Sequence, residues 1–255
     1  EKANFPIGVE GGKTSTCPTQ NLMEAYDMKD GTPFVWNNQS NPYDNRDPRM
    51  KYTIVCNEMK WPVDPVEIWE GGTNGLPLQN ATTTGYYLKK YVNNTISFEA
   101  GSTVTKKQHN WVLFRYGEIL LNYAEAMINA FHDPNYKDAV YNMSAREAVN
   151  QIRGRTNISL PGFPSDITEK DFVKRLKNER RVELAFEGHR FWDVRRWKEL
   201  GQTANIYGVK ITKNNEVISY EKFLLETRAV TDNMYFYPIP NTCLLYTSPS
   251  PRDMR

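Results

Sequence analysis

Residues 178–197 read NERRVELAFEGHRFWDVRRW, and the stretch puts charges where a helix needs apolar side chains. Phe172, Val173 and Leu176 open a helical stripe whose spacing of three and four continues through Arg180, Glu183 and Glu187. A guanidinium or carboxylate on a core face has to find an opposite charge, because an unpaired buried ion is strongly destabilising. The stretch therefore predicts a closed network of Arg180, Glu183, Arg190 and Asp193 beside the rings of Phe191, Trp192 and Trp197, with an architectural and not a catalytic role.

Upstream, Leu113, Tyr116, Ile119, Leu120, Tyr123, Ala124, Met127, Ile128 and Phe131 repeat at three and four, while Arg115, Glu118, Asn122 and Glu125 line another face. This predicts an amphipathic helix ending near His132. Ser144 with Glu147 makes a capping box for a second helix that buries Ala145, Ala148, Val149 and Ile152, and Thr168 with Asp171 caps the helix entering the charged stretch. The first two helices resemble one tetratricopeptide unit; arrays of that kind need about three repeats for stability. Residues 1–112 are rich in Gly, Pro, Asn and Thr, which predicts long ordered loops with a few short strands. Asp47-Pro48 reads as a helix N-cap or a tight turn. In the polar 203–236 segment, Asn214-Asn215 predicts a hairpin turn between 209–211 and 217–220. The fold expected is mostly α, with tetratricopeptide-like packing, long loops and a few short strands.

The 255 residues carry a net charge of +2 with no basic run, so no nucleic-acid partner is expected. No apolar run approaches the ~20 residues that span a bilayer. The first residues lack an initiator Met and a signal-peptide pattern, and the chain reads as starting mid-protein. Cys17, Cys56 and Cys243 have no metal-ligand spacing; neither a metal nor a cofactor is expected. Residues 241–255 lack periodicity and read as a non-native tail.

Acids abound, so hydrolysis has to be weighed. Glu118 and Glu125 lie two turns apart on one helix face, and paired carboxylates can cleave glycosides. A solvated or hydrogen-bonded face is the better reading. Glu183 and Glu187 stand among arginines that would depress their pKa values and disable them as general acids. Binding has better material: Trp36, Trp61 and Trp69 sit in polar, Gly- and Pro-rich surroundings with Tyr43, Asn37, Asn38 and Asp44. Rings on loops can stack on the C–H faces of sugars while amides and carboxylates bond hydroxyls, and a peptide would suit the same surface. At Asp44 and Asp47, turn capping outweighs a calcium site.

The charged stretch also resembles the C-terminal signature of the SusD/RagB family, of the form ER-x-x-ELAFEGHRFWD-x-RRW. Further blocks agree in order: 18–22 (PTQNL), 26–31 (YDMKDG), 45–49 (NRDPR), 84–91 (TGYYLKKY), 115–126 (RYGEILLNYAEA) and 237–240 (YPIP). The resemblance implies the C-terminal half of a non-enzymatic nutrient-binding lipoprotein of the Gram-negative outer membrane. It implies an N-terminal lipid anchor outside this stretch, surface exposure, capture of an oligosaccharide, and its delivery to a SusC-like TonB-dependent transporter. On this reading residues 1–112 carry the ligand face, with Trp36, Trp61, Trp69 and Tyr43 as the candidate contacts, and residues 113–240 form the helical part. A peptide-binding RagB-like member, a glycoside hydrolase and a helical scaffold are the alternatives.

Overall fold

The computed structural model describes residues 2–8, 12–37, 41–61, 64–93, 95, 108, 110, 112–237, 239, 240, 242 and 243. Asn38, Pro238 and nearly all of the 241–255 tail lie outside them. Six α-helices dominate the described residues, as expected. Helices α1 (Gln20–Met23) and α2 (Pro48–Thr53) are short; α3 (Tyr116–Phe131), α4 (Ala145–Arg153), α5 (Glu169–Glu183) and α6 (His189–Arg196) form the helical part.

The caps are those the local sequence calls for. The Asp47 carboxylate accepts from the Arg49 amide with Pro48 in the first turn, and Ser144 and Glu147 form the reciprocal capping box of α4. Thr168 Oγ1 accepts from the Asp171 amide at the start of α5. At Gly188, with φ of 83°, the chain turns from the end of α5 into α6, a conformation that carries no Cβ penalty only for glycine.

Strands β1 (Ile54–Val55) and β2 (Tyr87–Leu88) pair antiparallel, as do the much longer β3 (Asn205–Asn214) and β4 (Val217–Thr227). The hairpin turn is Asn215-Glu216, one residue later than expected, with φ of 46° and 67°. Both central residues are left-handed, as the twist of a two-residue hairpin requires. Glu216→Gly is expected to stabilise the chain by roughly 0.5–1 kcal/mol in urea denaturation, because glycine adopts that conformation freely and the ion pair lost, to Lys213, is exposed. Inward-facing Val209, Ile211 and Tyr220 join the first core. That approach is close: a Cβ on Gly85 would lie 2.4 Å from the Val209 carbonyl oxygen.

Two apolar cores result. The first gathers Phe5, Met23, Tyr26, Met50, Ile54, Trp61, Tyr86 and Tyr87 with the hairpin and Val182 of α5. The second packs Leu121, Ala124 and Ile128 of α3 on Ala145, Ala148 and Val149 of α4 and on Phe172 and Leu176 of α5. Small alanines let the α3 and α4 backbones approach, and α5 contributes to both cores. One part of the α3 stripe is corrected: Leu113, Tyr116 and Ile119 are exposed, whereas Glu118 is buried. Asn122, on the same polar face as Glu118, stays exposed and meets the charged flank of α5, where its Oδ1 accepts from Arg180 Nη1 at 2.7 Å.

Candidate ligand-binding cleft

The buried charges gather about α5, which contributes to both cores, and form a ladder of alternating sign. Arg49 is its centre: its guanidinium bonds Asp47 (2.7 Å), Glu179 (2.5 Å) and Glu183 (3.0 Å). Glu179 also takes Arg153 (2.6 Å), which continues to Asp27 (3.3 Å). Glu183 also takes Arg115 (2.7 Å) and Arg155 (2.9 Å), and Arg115 and Lys90 hold Glu187 (2.7 and 2.6 Å). The ladder stitches segments 27–49 and 90 to all three long helices.

The predicted network of Arg180, Glu183, Arg190 and Asp193 is thereby corrected. Arg180 does pair with Asp193, through Nε at 2.9 Å, and Arg196 joins that carboxylate. Glu183 belongs to the Arg49 ladder instead, and Arg190 hydrogen-bonds Gln202 at 2.9 Å. On a helix Arg180 and Glu183 are near neighbours, but Glu183 points toward the 47–49 segment, where three other cations meet it.

Electrostatics follow from this geometry. Burial alone would raise the Glu183 carboxyl, but the fields of Arg49, Arg115 and Arg155 override it and hold the group at about 2. Burial is likewise overridden at Glu179, by Arg49 and Arg153, and at Glu187, by Arg115 and Lys90; both are lowered. Asp27, at the end of the ladder, is the exception, since there burial prevails and raises the carboxyl. Glu125 is bonded by Arg196 and by Trp197 Nε1 (2.8 Å), and these bonds outweigh its burial and lower it. Glu118 is buried near His189 (3.7 Å). Glu125, Glu179, Glu183 and Glu187, all lowered, are not poised to donate a proton at neutral pH. The Asp47 carboxylate is spent on Arg49 and on its own helix cap.

The aromatic residues predicted to meet ligand do not form one platform. Trp61 is 3% exposed and stacks at 5.3 Å on Phe5 inside the first core. Tyr43 is 6% exposed, edge-on to Tyr86 and Tyr220. Neither ring presents a face to a ligand in this fold, because the Gly- and Pro-rich loops fold over their own aromatics to build a core. Trp69 is half-buried with the Lys213 ammonium 4.7 Å from its centroid. Trp36 is also half-buried, and packs edge-on at 6.4 Å against Phe34.

Phe34 leads to a cleft, a 460 Å³ opening between the 24–34 segment, the outer face of α5, the start of α6 and residues 199–202. Phe34 and Pro33 form its apolar wall, and Arg181, Arg190, Lys174 and Asn178 its polar floor. Arg46 stacks 3.6 Å from the centroid of Phe34 and donates to the carbonyls of Met23 and Tyr26 (2.6 and 2.7 Å), which fixes the ring from behind. A second recess of 360 Å³ lies over Tyr52, Tyr91 and Arg155, and its acids are already paired within the ladder. Sequence reasoning missed Phe34, Arg181 and the cleft itself, since nothing local marks the meeting of 24–34 with α5.

A family model described as the SusD family matches residues 4–245, reaching into the 241–255 segment. A SusD-like protein from Bacteroides fragilis superposes with a TM-score of 0.75 at 26% identity, over 95% of this chain and 48% of that one. A SusD-like carbohydrate-binding protein from the same species gives 0.69 at 25% identity, over 91% and 47%. SusD-like protein P38 of Formosa agariphila is 37% identical over 91 residues, which are 33% of this chain and 16% of that protein. The chain spans about half the length of the two matched structures.

Proposed function

Because the chain belongs to the SusD family, we propose that the protein captures an oligosaccharide at the outer-membrane surface and passes it, chemically unaltered, to a SusC-like TonB-dependent transporter. Attachment through an N-terminal lipid anchor is part of the same reading. The observation that carries it is the cleft beneath Phe34: an aromatic wall backed by Arg46 faces a floor of hydrogen-bonding groups, the pairing of surfaces a sugar ring requires. Residues 1–112 supply the wall and residues 113–240 the floor, and the 241–255 segment has no role. A non-enzymatic role is supported by Glu125, Glu183 and Glu187, whose carboxylates are bonded to arginine and held low. Glycan is favoured over peptide because one of the matched B. fragilis proteins is a SusD-like carbohydrate-binding protein.

A glycan and peptide array probed with the complete protein tests the ligand class. Phe34→Ala is expected to weaken glycan affinity roughly two- to tenfold, since a stacked ring contributes roughly 0.5–1.5 kcal/mol beyond area burial. Trp69→Ala provides the comparison at a ring outside the cleft. Peptide capture with no glycan signal would move the protein to the RagB-like alternative. Product release that disappears in Glu118→Gln or Glu125→Gln would make it a hydrolase.

A further inference from the structure

The cleft has an excess of cations, and its carboxylates are already taken. Glu24 pairs with Lys222 (2.7 Å), Asp27 with Arg153 (3.3 Å) and Glu199 with Lys177 (2.5 Å). Arg181 is different. It is half-buried in the floor and makes no hydrogen bond or ion pair with any described residue. Its neighbour Arg190 also faces the cleft and spends one N–H on Gln202 Oε1. Burial, and then the like charge of Arg190, bring the Arg181 guanidinium down to about 10. The fields of Glu24 on Arg181 and of Asp193 and Glu199 on Arg190 offset part of this, but neither guanidinium has an ion pair among the described residues, so two cations share one cleft. They are also a fork of N–H donors whose geometry matches a planar or tetrahedral oxyanion.

We propose that Arg181 and Arg190 form an oxyanion subsite in the cleft, receiving a carboxylate or sulfate group borne by the captured saccharide. The proposal rests on the glycan-capture reading and narrows it to acidic sugars. The apolar wall at Phe34 would then take the C–H face of a ring whose charged substituent reaches the floor.

The test uses the complete protein, with Arg181→Gln and Arg181→Lys, and four probes: inorganic sulfate, and a neutral, a uronate-containing and a sulfated oligosaccharide of equal length. Inorganic sulfate, titrated calorimetrically, is expected to bind the unaltered protein and to lose about tenfold or more in affinity on Arg181→Gln, as a lost charge-assisted contact would produce. Arg181→Lys should retain part of that affinity. An acidic oligosaccharide should bind about tenfold tighter than its neutral counterpart, by a margin that shrinks with salt and disappears in Arg181→Gln. Without ligand, Arg181→Gln should leave the melting temperature unchanged or raise it. Sulfate affinity indifferent to Arg181, or a ligand-free melting temperature lowered by several degrees, overturns the subsite; the latter would assign the guanidinium to a protein contact. Neutral and acidic saccharides binding equally would remove the subsite and leave glycan capture standing. Absence of any saccharide binding, with sulfate still dependent on Arg181, would remove glycan capture and leave the oxyanion site.

Discussion

Arg49→Ala is expected to cost roughly 3–5 kcal/mol of stability. The guanidinium of Arg49 is buried and stands between three buried carboxylates, Asp47, Glu179 and Glu183. Removing it leaves Asp47 without an ion-pair partner among the described residues, and leaves Glu179 to Arg153 alone and Glu183 to Arg115 and Arg155. Total stabilities of globular domains run to about 5–15 kcal/mol, so the loss is a large share of what holds the chain folded. Denaturant unfolding of the variant measures it. A double-mutant cycle pairing Arg49→Met with Glu179→Gln should show strong coupling, because the two buried charges are in direct contact. A cost of Arg49→Ala within about 0.5 kcal/mol, the usual range of an exposed site, would mean that the ladder is not buried as described.

Stability should also fall steeply in acid, in a window set by the same ladder. Glu183 has an ordinary value of 4.5 and is held at about 2 in the folded chain. A carboxyl with a depressed folded-state pKa stabilises the fold above its unfolded value, and that contribution is lost as pH falls through the folded one. The loss therefore begins near pH 4.5 and continues toward pH 2, and from Glu183 alone is on the order of 3 kcal/mol. Glu179 and Glu187 are lowered as well and act in the same direction, while Asp27, whose carboxyl is raised, acts in the opposite one. Urea midpoints measured from pH 7 down to 2.5 would show the slope, and Glu183→Gln should flatten it while lowering stability at neutral pH. A midpoint constant from pH 5 to 3 would contradict the depressed carboxyls.

Family and fold class were legible in the sequence, and so were the helix caps. Ser144 with Glu147, Thr168 with Asp171, and Asp47 with Pro48 each join residues at most three apart, so the local chain alone determines the hydrogen bond. The hairpin was legible to within one residue for the same reason. That the α5 charges had to be paired also followed from their position on an apolar face.

Which partners they took did not follow. Glu183 meets Arg49 across 134 residues in preference to Arg180 three away, and Arg153 reaches Asp27 across 126. An ion pair goes to whichever opposite charge packing brings within about 4 Å, and sequence spacing has no bearing on that once separate segments converge on one helix face. Burial of Trp61 and Tyr43 has the same origin, because a polar loop hides its rings only when other segments close over them. The sequence by itself determined the family, the helices, their ends and the need for internal charge neutralisation. Tertiary packing alone decided which charges neutralise one another and where the cleft opens. It also decided that Arg181 lines that cleft without a hydrogen bond or ion pair among the described residues, since each of these depends on segments far apart in the chain coming to share one surface.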